Sequence, residues 1–390
     1  MFERGPLTGI YVLDLSRILA GPFCTQILGD FGAEVIKVER PNVGDDTRYW
    51  GPPFLADGMA AYFTCANRNK RSIAVDIKTE KGREILRRLA CRADVLVENY
   101  KVGQLRSLGL GYDDLAKLNP RLVYCSITGF GQTGPRASEP GYDFLMQAMG
   151  GLMSITGTAD EPCKVGVAVA DLFTGLWAAV AILAALRTRE LTGRGQYIDL
   201  ALYDCQLSML ANVAANWFVS TERPVRYGNA HPNIVPYQVF QAADGLFALA
   251  IGNDKQFKDL CIAFDSKLYL DERFATNAAR VVNRNACVGE LSKLFIRRNR
   301  REILKLCASV DVPAGPINSV DEAFLDQQAL HRNMVVELDG VKTIANPVRF
   351  SDTAVSYRIP PPKLGADTTN ILRWLGYTDS EIEAIGRQGT

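Results

Sequence analysis

The amino-acid sequence predicts an α/β fold with two domains, a larger one built on a mostly parallel sheet and a smaller α+β one. The chain has 390 residues, more than one hydrophobic core usually supports. In its first third, short apolar runs alternate with amphipathic stretches, and this βαβ rhythm is typical of a parallel sheet covered by helices. In such sheets ligands bind at the carboxyl ends of the strands.

Six apolar runs are the predicted strands of the larger domain, and turn residues or helical patterns separate them. They lie at 10–15, 35–38, 72–76, 94–97, 122–127 and 197–200. Helices are predicted at 24–30 and 171–189, and at 79–91, where Ile85, Leu86 and Leu89 repeat with helical spacing. A further helix is predicted from Leu202 to about residue 219.

A polar link at 220–233, which contains Pro224, Gly228 and Pro232, predicts a domain boundary. Apolar runs at 235–241 and 246–251 then flank Asp244-Gly245, a pair that favours a hairpin turn. Helices are predicted at 254–264, 284–297 and 300–309, with Asn299 as the N-cap of the last. We therefore predict a first domain over 1–200, a helical linker at 201–225, a small α+β domain at 226–325 and a tail at 326–390.

The composition is that of an ordinary globular protein, with 47% hydrophobic and 22% charged residues. A net charge of +1 gives no global attraction to nucleic acid or to an anionic membrane, so neither is a predicted partner. The most apolar stretch, 172–186, is too short to span a bilayer comfortably. Nine scattered cysteines without a C-x-x-C pair indicate a reducing compartment, and residues 1–8 carry no targeting pattern, so a cytoplasmic location is predicted.

Several catalytic motifs are absent from the sequence, which has no P-loop, G-x-S-x-G or H-E-x-x-H. Because its two histidines, His231 and His331, lie far apart and no cysteine cluster replaces them, no metal site is predicted. Gly129-Phe130-Gly131-Gln132-Thr133-Gly134 matches the dinucleotide fingerprint, but Pro135 and Pro140 follow where that motif needs a helix. No nucleotide cofactor is therefore predicted, and the glycines either close over a substrate or form an ordinary loop.

Asp171 is the candidate catalytic residue. It stands alone between an apolar run at 166–170 and a predicted helix that continues from Leu172. As the N-cap of that helix, its carboxylate would accept hydrogen bonds from free N–H groups, and the helix dipole would favour its anionic form. Such a group can act as a covalent nucleophile or serve as a structural cap.

Basic residues recur where predicted strands meet loops. Arg17 follows the first strand, Lys37 and Arg40 flank the end of the second, and Lys101 and Arg106 follow the fourth. Together they could hold the phosphates of a ligand, whereas for any one of them taken alone a solvated surface charge is the favoured interpretation.

Taken together, these stretches resemble the family III CoA-transferases, also called the CaiB/BaiF or carnitine/bile-acid type. The resemblance runs nearly end to end and includes Val97-Glu98-Asn99-Tyr100 and Gly129-Phe130-Gly131. The other matching stretches are 13–17, 20–22, 32–39, 69–72, 192–196 and 361–365. It implies a Rossmann-like large domain from both chain ends, with the tail at 326–390 as its return linker and C-terminal part. It also implies a homodimer of two interlocked rings.

The resemblance implies that Asp171 is the nucleophile. Its carboxylate would attack an acyl-CoA thioester, form a mixed anhydride and then hold CoA as an aspartyl thioester, from which CoA passes to a free carboxylate. Acyl-CoA and a carboxylic acid are thus the implied substrates, and neither ATP nor a metal is needed. Backbone N–H groups near Gly129, Phe130 and Gly131 are expected to stabilise the oxyanion.

The family's CoA contacts carry over residue by residue to Arg17, Ile18, Leu19, Ala20, Arg40, Arg71, Ser72, Asn99 and Tyr100, and less closely to Arg106, which is offset by one residue. Tyr62 and Tyr142 match aromatic positions near the acyl group. Asp367 stands where the family usually has a histidine, so the role of that position is open.

Further resemblances bear on the reaction. The α-methylacyl-CoA racemases of the same superfamily carry a histidine base at the position of Tyr142, so this residue disfavours racemisation of a 2-methylacyl-CoA, the alternative activity. The stretches 44–48, 50–54 and 231–237 look most like the family members that transfer CoA from succinyl-CoA to glutarate. Itaconate, malate, citramalate, oxalate and carnitine are alternative acceptors.

A dicarboxylate acceptor needs a cation for its far carboxylate, and arginine is the best such partner. Arg48 and His231 are the candidates, with Arg17 as a third. The alternatives are that Arg48 pairs with Asp45 or Asp46, and that His231 caps a turn in the linker.

Overall fold

A six-stranded parallel sheet is the centre of the computed structural model of this protein, which describes residues 5–387. Its strands are β1 (Tyr11–Asp14), β2 (Glu34–Glu39), β3 (Lys70–Ala74), β4 (Val95–Glu98), β5 (Val123–Thr128) and β6 (Tyr197–Ala201). They lie in the order β3-β2-β1-β4-β5-β6, and every neighbouring pair is parallel. This is the order of doubly wound α/β folds, in which ligands bind where the strand order reverses, here between β1 and β4. The predicted α/β class and parallel sheet are confirmed.

The remaining strands form two small antiparallel sheets. They are β7 (Tyr237–Ala242), β8 (Gly245–Ala250), β9 (Ala314–Pro316), β10 (Val335–Leu338) and β11 (Val341–Ile344). β7, β8 and β9 form one sheet, and β10 pairs with β11. The predicted hairpin is confirmed as β7–β8, and its turn is Ala243-Asp244.

The helices cover the faces of these sheets or connect them. In chain order they are α1 (Ala20–Asp30), α2 (Ala61–Thr64), α3 (Glu80–Arg92), α4 (Gln104–Ser107), α5 (Tyr112–Leu118), α6 (Asp143–Met149), α7 (Leu152–Ile155), α8 (Val169–Thr192), α9 (Leu202–Ser208), α10 (Ala211–Ser220), α11 (Asp254–Ala263), α12 (Asn277–Val282), α13 (Arg284–Phe295), α14 (Arg300–Ser309), α15 (Val320–Leu325), α16 (Gln327–His331), α17 (Thr368–Trp374) and α18 (Asp379–Arg387). The Asn299 cap of α14 is confirmed, as a capping box with Glu302.

Each face of the large sheet carries its own hydrophobic core. On one face, Ile85, Leu86 and Leu89 of α3 pack with α17 residues such as Ile371. On the other, α1 and α8 pack together, and Ile182 is fully buried there. Because both faces are covered, most of the buried strand residues are apolar, and the exceptions include Lys37 of β2 and Lys70 of β3.

The chain divides into two units. The larger comprises the chain up to Gly151, then Val165–Leu210, and the chain from Gln327 onward. The smaller comprises Leu152–Lys164 and Ala211–Asp326. The observed units differ from the predicted domains, because 152–164 falls in the smaller unit and the predicted linker at 201–225 is divided between the two units after Leu210. In addition, the helix predicted from Leu202 to about 219 is two helices, α9 and α10. It breaks because Ala211 adopts a left-handed φ of 41°.

The last part of the chain completes the larger unit through hydrogen bonds to residues near β3. Arg68 donates from Nη1 to the carbonyl oxygen of Ile344 (2.7 Å), and the N–H of Asn69 donates to the carbonyl oxygen of Ile359 (2.8 Å). The N–H of Ser72 donates to Asp367 Oδ2 (2.9 Å). Asp367, whose role the sequence left open, therefore ties the C-terminal segment to β3.

The long apolar stretch 172–186 lies within α8, whose 24 residues extend beyond both ends of the helix predicted at 171–189. Within the described residues, α8 is the one helix long and apolar enough to cross a bilayer, and half of its most apolar window is buried inside the molecule. The prediction that this stretch is too short to span a membrane was therefore wrong, because the helix that contains it is longer than the stretch itself. A helix in the core of a globular domain would show the same length and composition, and α8 packs against α1 in this way.

Candidate active site

A cavity of about 220 Å³ opens at the carboxyl ends of β1, β4 and β5, where the strand order reverses. Its wall is formed by the turn after β1 (Arg17–Ala20), the loop after β4 (Asn99–Val102), the end of β5 with Gly129, and Asp171. The segment 137–142 completes it. The structure therefore brings the predicted nucleophile together with six of the predicted CoA contacts and with Gly129 and Tyr142.

Asp171 lies in the first turn of α8, and 8% of it is exposed. The helix begins at Val169 after Ala168, so the prediction that Asp171 is its N-cap was wrong. Burial, and secondarily the negative charge of Asp143, raise the pKa of Asp171 from 3.8 to about 7. The expectation of a fully ionised carboxylate is also corrected, because desolvation outweighs the helix dipole at this position. Near neutral pH the carboxylate is present but poorly stabilised.

The turn after β1 is held in a strained conformation. Ile18 has a φ of 72°, a region in which β-branched residues are rare. Its N–H donates to Asp45 Oδ1 (3.2 Å), and the side-chain amide of Asn99 both accepts from the N–H of Arg17 (2.9 Å) and donates to its carbonyl oxygen (2.7 Å). Asn99 therefore acts here by fixing backbone, and the surrounding structure maintains the strain.

Six buried charged side chains lie beneath this turn: Asp14, Lys37, Glu39, Asp45, Arg48 and Lys70. Lys37 donates to Asp45 Oδ2 (2.9 Å) and to the carbonyl oxygen of Ser16 (2.9 Å). Burial raises the pKa of Asp14, but Lys70 and Lys37 outweigh it and lower that pKa to about 2. The three acids and three bases compensate one another, as buried charges must.

Arg48 belongs to this network and does not line the cavity. It donates from Nε and Nη2 to the two carboxylate oxygens of Glu39 (2.9 and 2.7 Å) and from Nη1 to the carbonyl oxygen of Pro362 (3.0 Å). Its guanidinium also lies 3.8 Å from the centre of the Phe63 ring. The ion-pair alternative is therefore correct for Arg48, with Glu39 as the partner in place of Asp45 or Asp46.

Arg71 and Ser72, two of the predicted CoA contacts, also lie away from this cavity. Ser72 Oγ donates to Glu39 Oε2 (2.6 Å), and the guanidinium of Arg71 lies 3.6 Å from Glu34. Both residues are on β3, at the edge of the sheet. The contacts of Ser72 with Glu39 and of Arg71 with Glu34 stabilise the fold at this edge of the sheet.

Two further cavities adjoin the first. One of about 190 Å³ is lined by Arg40, Lys78 and Gly44, and it shares Arg17 and Tyr100 with the first cavity. The other, of about 270 Å³, is lined by Arg106 and shares Lys101 with the first. Arg40 is exposed there, whereas Arg106 has a carboxylate partner, Asp113, at 3.4 Å. A ligand that extends from the first cavity into either of the two adjoining ones would bring its phosphates near basic side chains.

The two predicted tyrosines lie near Asp171. Burial, followed by Cys65 and Asp171, raises the pKa of Tyr62 to about 12, so its hydroxyl stays protonated. Tyr142 lies in the cavity wall and is 57% exposed.

The glycine loop is anchored by its own hydrogen bonds. Gly129 lines the cavity, and a Cβ there would lie 2.8 Å from Gly141 Cα, so only glycine lets the two loops approach. The N–H of Gly131 donates to Thr128 Oγ1 (2.9 Å), and the Phe130 ring packs on Tyr203. Because the N–H of Gly131 is engaged in this way, it is a poor candidate for the oxyanion donor.

His231 lies in the smaller unit. Its Nδ1 accepts from the N–H of Asn233 (3.0 Å), and burial, then Arg284, lowers the pKa of the imidazole. The turn-capping alternative describes this contact.

Sequence reasoning missed Asp143, Glu39 and Glu98. Asp143 directly follows Tyr142, and an acid at the start of a short helix was the available signal. Glu98 is buried at the end of β4, and its Oε2 accepts from the N–H of Tyr100 (2.7 Å), with burial raising its pKa to about 7. A carboxylate that ends a buried strand was the signal for both Glu39 and Glu98.

A doubly wound sheet with a buried acid in the cavity at its strand-order reversal, and basic side chains in the adjoining cavity, fits an α/β enzyme that acts on a phosphorylated ligand. The sequence profile of CoA-transferase family III matches residues 7–368, and the chain belongs to this family. It is a CoA-transferase that uses acyl-CoA as a substrate, and the predicted family is confirmed.

Two relatives and one solved structure illustrate the similarity. The succinate–glutarate CoA-transferase of Agrobacterium fabrum is 48% identical, with 100% of this chain and 98% of the relative covered. The succinyl-CoA:glutarate CoA-transferase of Homo sapiens is 45% identical over 97% of this chain and 88% of the relative. A CaiB/BaiF family protein from Brucella suis is 50% identical, with a TM-score of 0.86, 95% of this chain and 100% of that chain covered.

Proposed function

We propose that this protein transfers CoA from succinyl-CoA to glutarate through covalent intermediates on Asp171. The observation that carries the proposal is the position of Asp171 in the wall of the cavity at the strand-order reversal. The names of the Agrobacterium and human relatives support the choice of donor and acceptor.

The reaction follows from the chemistry of a desolvated carboxylate. An Asp171 oxygen attacks the succinyl thioester carbonyl, the C–S bond breaks, and a mixed anhydride and CoA thiolate result. The thiolate then attacks the aspartyl carbonyl, which releases succinate and leaves an aspartyl-CoA thioester. Glutarate attacks that thioester, the thiolate leaves, and its return to the glutaryl carbonyl of the new anhydride gives glutaryl-CoA and free Asp171. No step consumes water or ATP.

CoA would occupy the first cavity and the adjoining one that carries Arg40 and Lys78. Arg17 and Tyr100 line both, so one extended ligand can pass from one to the other. Its phosphates would meet Arg40 and Lys78, and its thioester would lie at Asp171. Arg17 pairs with Asp46 at 2.9 Å, but its side chain is 43% exposed, so it is the remaining arginine candidate for a carboxylate.

The active form is proposed to be a homodimer of interlocked rings in the cytoplasm. Large apolar side chains support association, because Leu176, Trp177 and Val180 of α8 are each about half exposed. On α10, Phe218 and Val219 are more exposed still. The nine cysteines are free, which is consistent with a reducing compartment.

The alternative racemase has less support, because Tyr142 lines the cavity where that enzyme's histidine base would stand. The other acceptors are distinguished by experiment. Purified protein would be mixed with succinyl-CoA and glutarate, itaconate, malate, citramalate, oxalate or carnitine, and new acyl-CoA measured by mass spectrometry. We expect glutaryl-CoA to form fastest.

Asp171→Ala should abolish exchange, and the quenched wild-type reaction should show CoA on the peptide that contains residue 171. Asp204→Ala, which removes an exposed carboxylate of α9, is the matched control and should retain activity. Exchange at the wild-type rate in Asp171→Ala would exclude the proposed mechanism.

A further inference from the structure

The first turn of α8 obtains its cap from another helix. Ala168 precedes α8 and has no side-chain acceptor to offer. Instead, Asp143 Oδ1, at the start of α6, accepts from the N–H groups of Ala170 (2.8 Å) and Asp171 (3.4 Å). A carboxylate at this place satisfies donors that a helix terminus otherwise leaves free.

Gln147, one turn further along α6, extends the contact. Its Nε2 donates to Asp143 Oδ2 (2.8 Å), and its Oε1 accepts from the N–H of Val165 (2.8 Å). Gln147 is fully buried. The α6 helix therefore fixes the chain on both sides of the segment that leads into Asp171.

Asp143 also places a second negative charge beside the nucleophile. The raised pKa of Asp171 is due first to burial and then to Asp143. The other titratable groups around Asp171 are Tyr62, whose phenol is neutral, and Arg17, Tyr100, Lys101, Glu139 and Tyr142 of the cavity wall. Arg17 lies against its own carboxylate partner, Asp46, at 2.9 Å.

We infer that Asp143 is a positioning residue for the reaction, which holds the first turn of α8 in place and disfavours the free carboxylate of Asp171 relative to its acylated forms. In the anhydride and in the thioester the Asp171 side chain is neutral, so its repulsion by Asp143 disappears when the covalent bond forms. The free and covalent states are thereby brought closer in energy, which suits a group that must serve as nucleophile and as leaving group in every cycle. This inference rests on the proposed role of Asp171.

Two variants separate the effects of charge and of position. Asp143→Asn removes the charge and keeps an oxygen acceptor for the N–H groups of Ala170 and Asp171, but it loses the acceptor for Gln147 Nε2, the same contact that Gln147→Met removes. Gln147→Met removes the clamp on Val165 and keeps the charge of Asp143. Asp204→Asn is the matched control, because it removes an exposed carboxylate on α9.

The first readout does not depend on activity. The protein would be labelled with ¹³C at the aspartate carboxyl carbons, and the resonance that Asp171→Asn lacks would be titrated. Loss of a nearby like charge should lower the pKa of Asp171 by about 0.5 to 1 unit in Asp143→Asn. Gln147→Met and Asp204→Asn should leave the pKa of Asp171 within about 0.2 unit of its wild-type value. A purely structural role for Asp143 would give an equally small shift in Asp143→Asn.

The second readout is the pH profile of CoA exchange. In Asp143→Asn the rise of kcat/KM with pH should move to lower pH, and the steady-state fraction of enzyme that carries CoA should fall. Gln147→Met should lower kcat without moving the profile. An unchanged Asp171 titration in a folded Asp143→Asn variant would overturn the inference. Full exchange by Asp171→Ala would instead overturn the proposed function, whatever the titration shows.

Discussion

Replacement of Asp171 by asparagine should stabilise the folded protein, and increasingly so as the pH rises. The folded state raises the pKa of Asp171 from 3.8 to about 7, so it binds this proton more tightly than the unfolded chain does. Protonated Asp171 therefore favours folding at low pH, and this contribution is lost as the pH rises from 3.8 through 7. A rise from pH 5 to pH 8 covers about two pH units of this window, up to the folded-state pKa of about 7. Over these units the free energy of unfolding of the wild-type protein should fall by about 3 kcal/mol. The asparagine side chain of Asp171→Asn does not titrate, so it adds no such pH dependence to the free energy of unfolding.

The assay is calorimetric unfolding of both proteins at several pH values. About 3 kcal/mol corresponds to an upward shift of Tm of roughly 4 °C for a chain of this size, so the Tm of Asp171→Asn minus that of wild type should grow by this amount between pH 5 and pH 8. Asp204→Asn should show no such growth. If the difference for Asp171→Asn is the same at both pH values, the carboxylate is not destabilised by its surroundings, and the reasoning above is wrong.

Two further predictions concern the basic residues. Arg48→Met should lower the free energy of unfolding by about 3 to 5 kcal/mol, because it leaves Glu39 charged and buried. Urea denaturation would measure this, and a Glu39→Gln/Arg48→Met double variant as unstable as the single one would contradict it. Arg40→Ala should weaken CoA binding about tenfold through the loss of one phosphate contact, yet leave pantetheine binding unchanged. Calorimetric titration of the two ligands tests this, and equal losses for both would place the phosphates elsewhere.

Most strands were predictable from the sequence because they are apolar runs between polar turns, although β3 begins with Lys70, Arg71 and Ser72, and the order of the strands was not predictable. Val95–Glu98 lies beside β1 in the sheet although β2 and β3 come between them in the chain. The start of the helix around Asp171 was predicted two residues late, since an apolar Val169 and Ala170 give no capping signal. The cap lies 27 residues earlier, in α6, a contact that only the tertiary structure reveals.

The candidate site, too, was predictable from the sequence only in part. Arg17 was found because it follows a strand and the carboxyl ends of neighbouring strands meet, whereas Asn99 was found through the family resemblance. Arg48 was assigned to the acceptor because a dicarboxylate needs a cation, and only Asp45 and Asp46 were considered as its partners within the chain. The sheet instead brings Glu39 to it from the end of β2. Local sequence shows which charges are present, but not which of them neutralise one another.

The hydrogen bonds from Arg68, Asn69 and Ser72 to the C-terminal segment have a consequence for the order of events at the ribosome. The chain that becomes the smaller unit is complete once Asp326 has been made, whereas the larger unit still lacks everything from Gln327 onward. Until then the partners of these three residues, at 344, 359 and 367, do not exist. The larger unit therefore begins first and is completed last, and the donors of Arg68, Asn69 and Ser72 stay open to water until the C-terminal segment has been made.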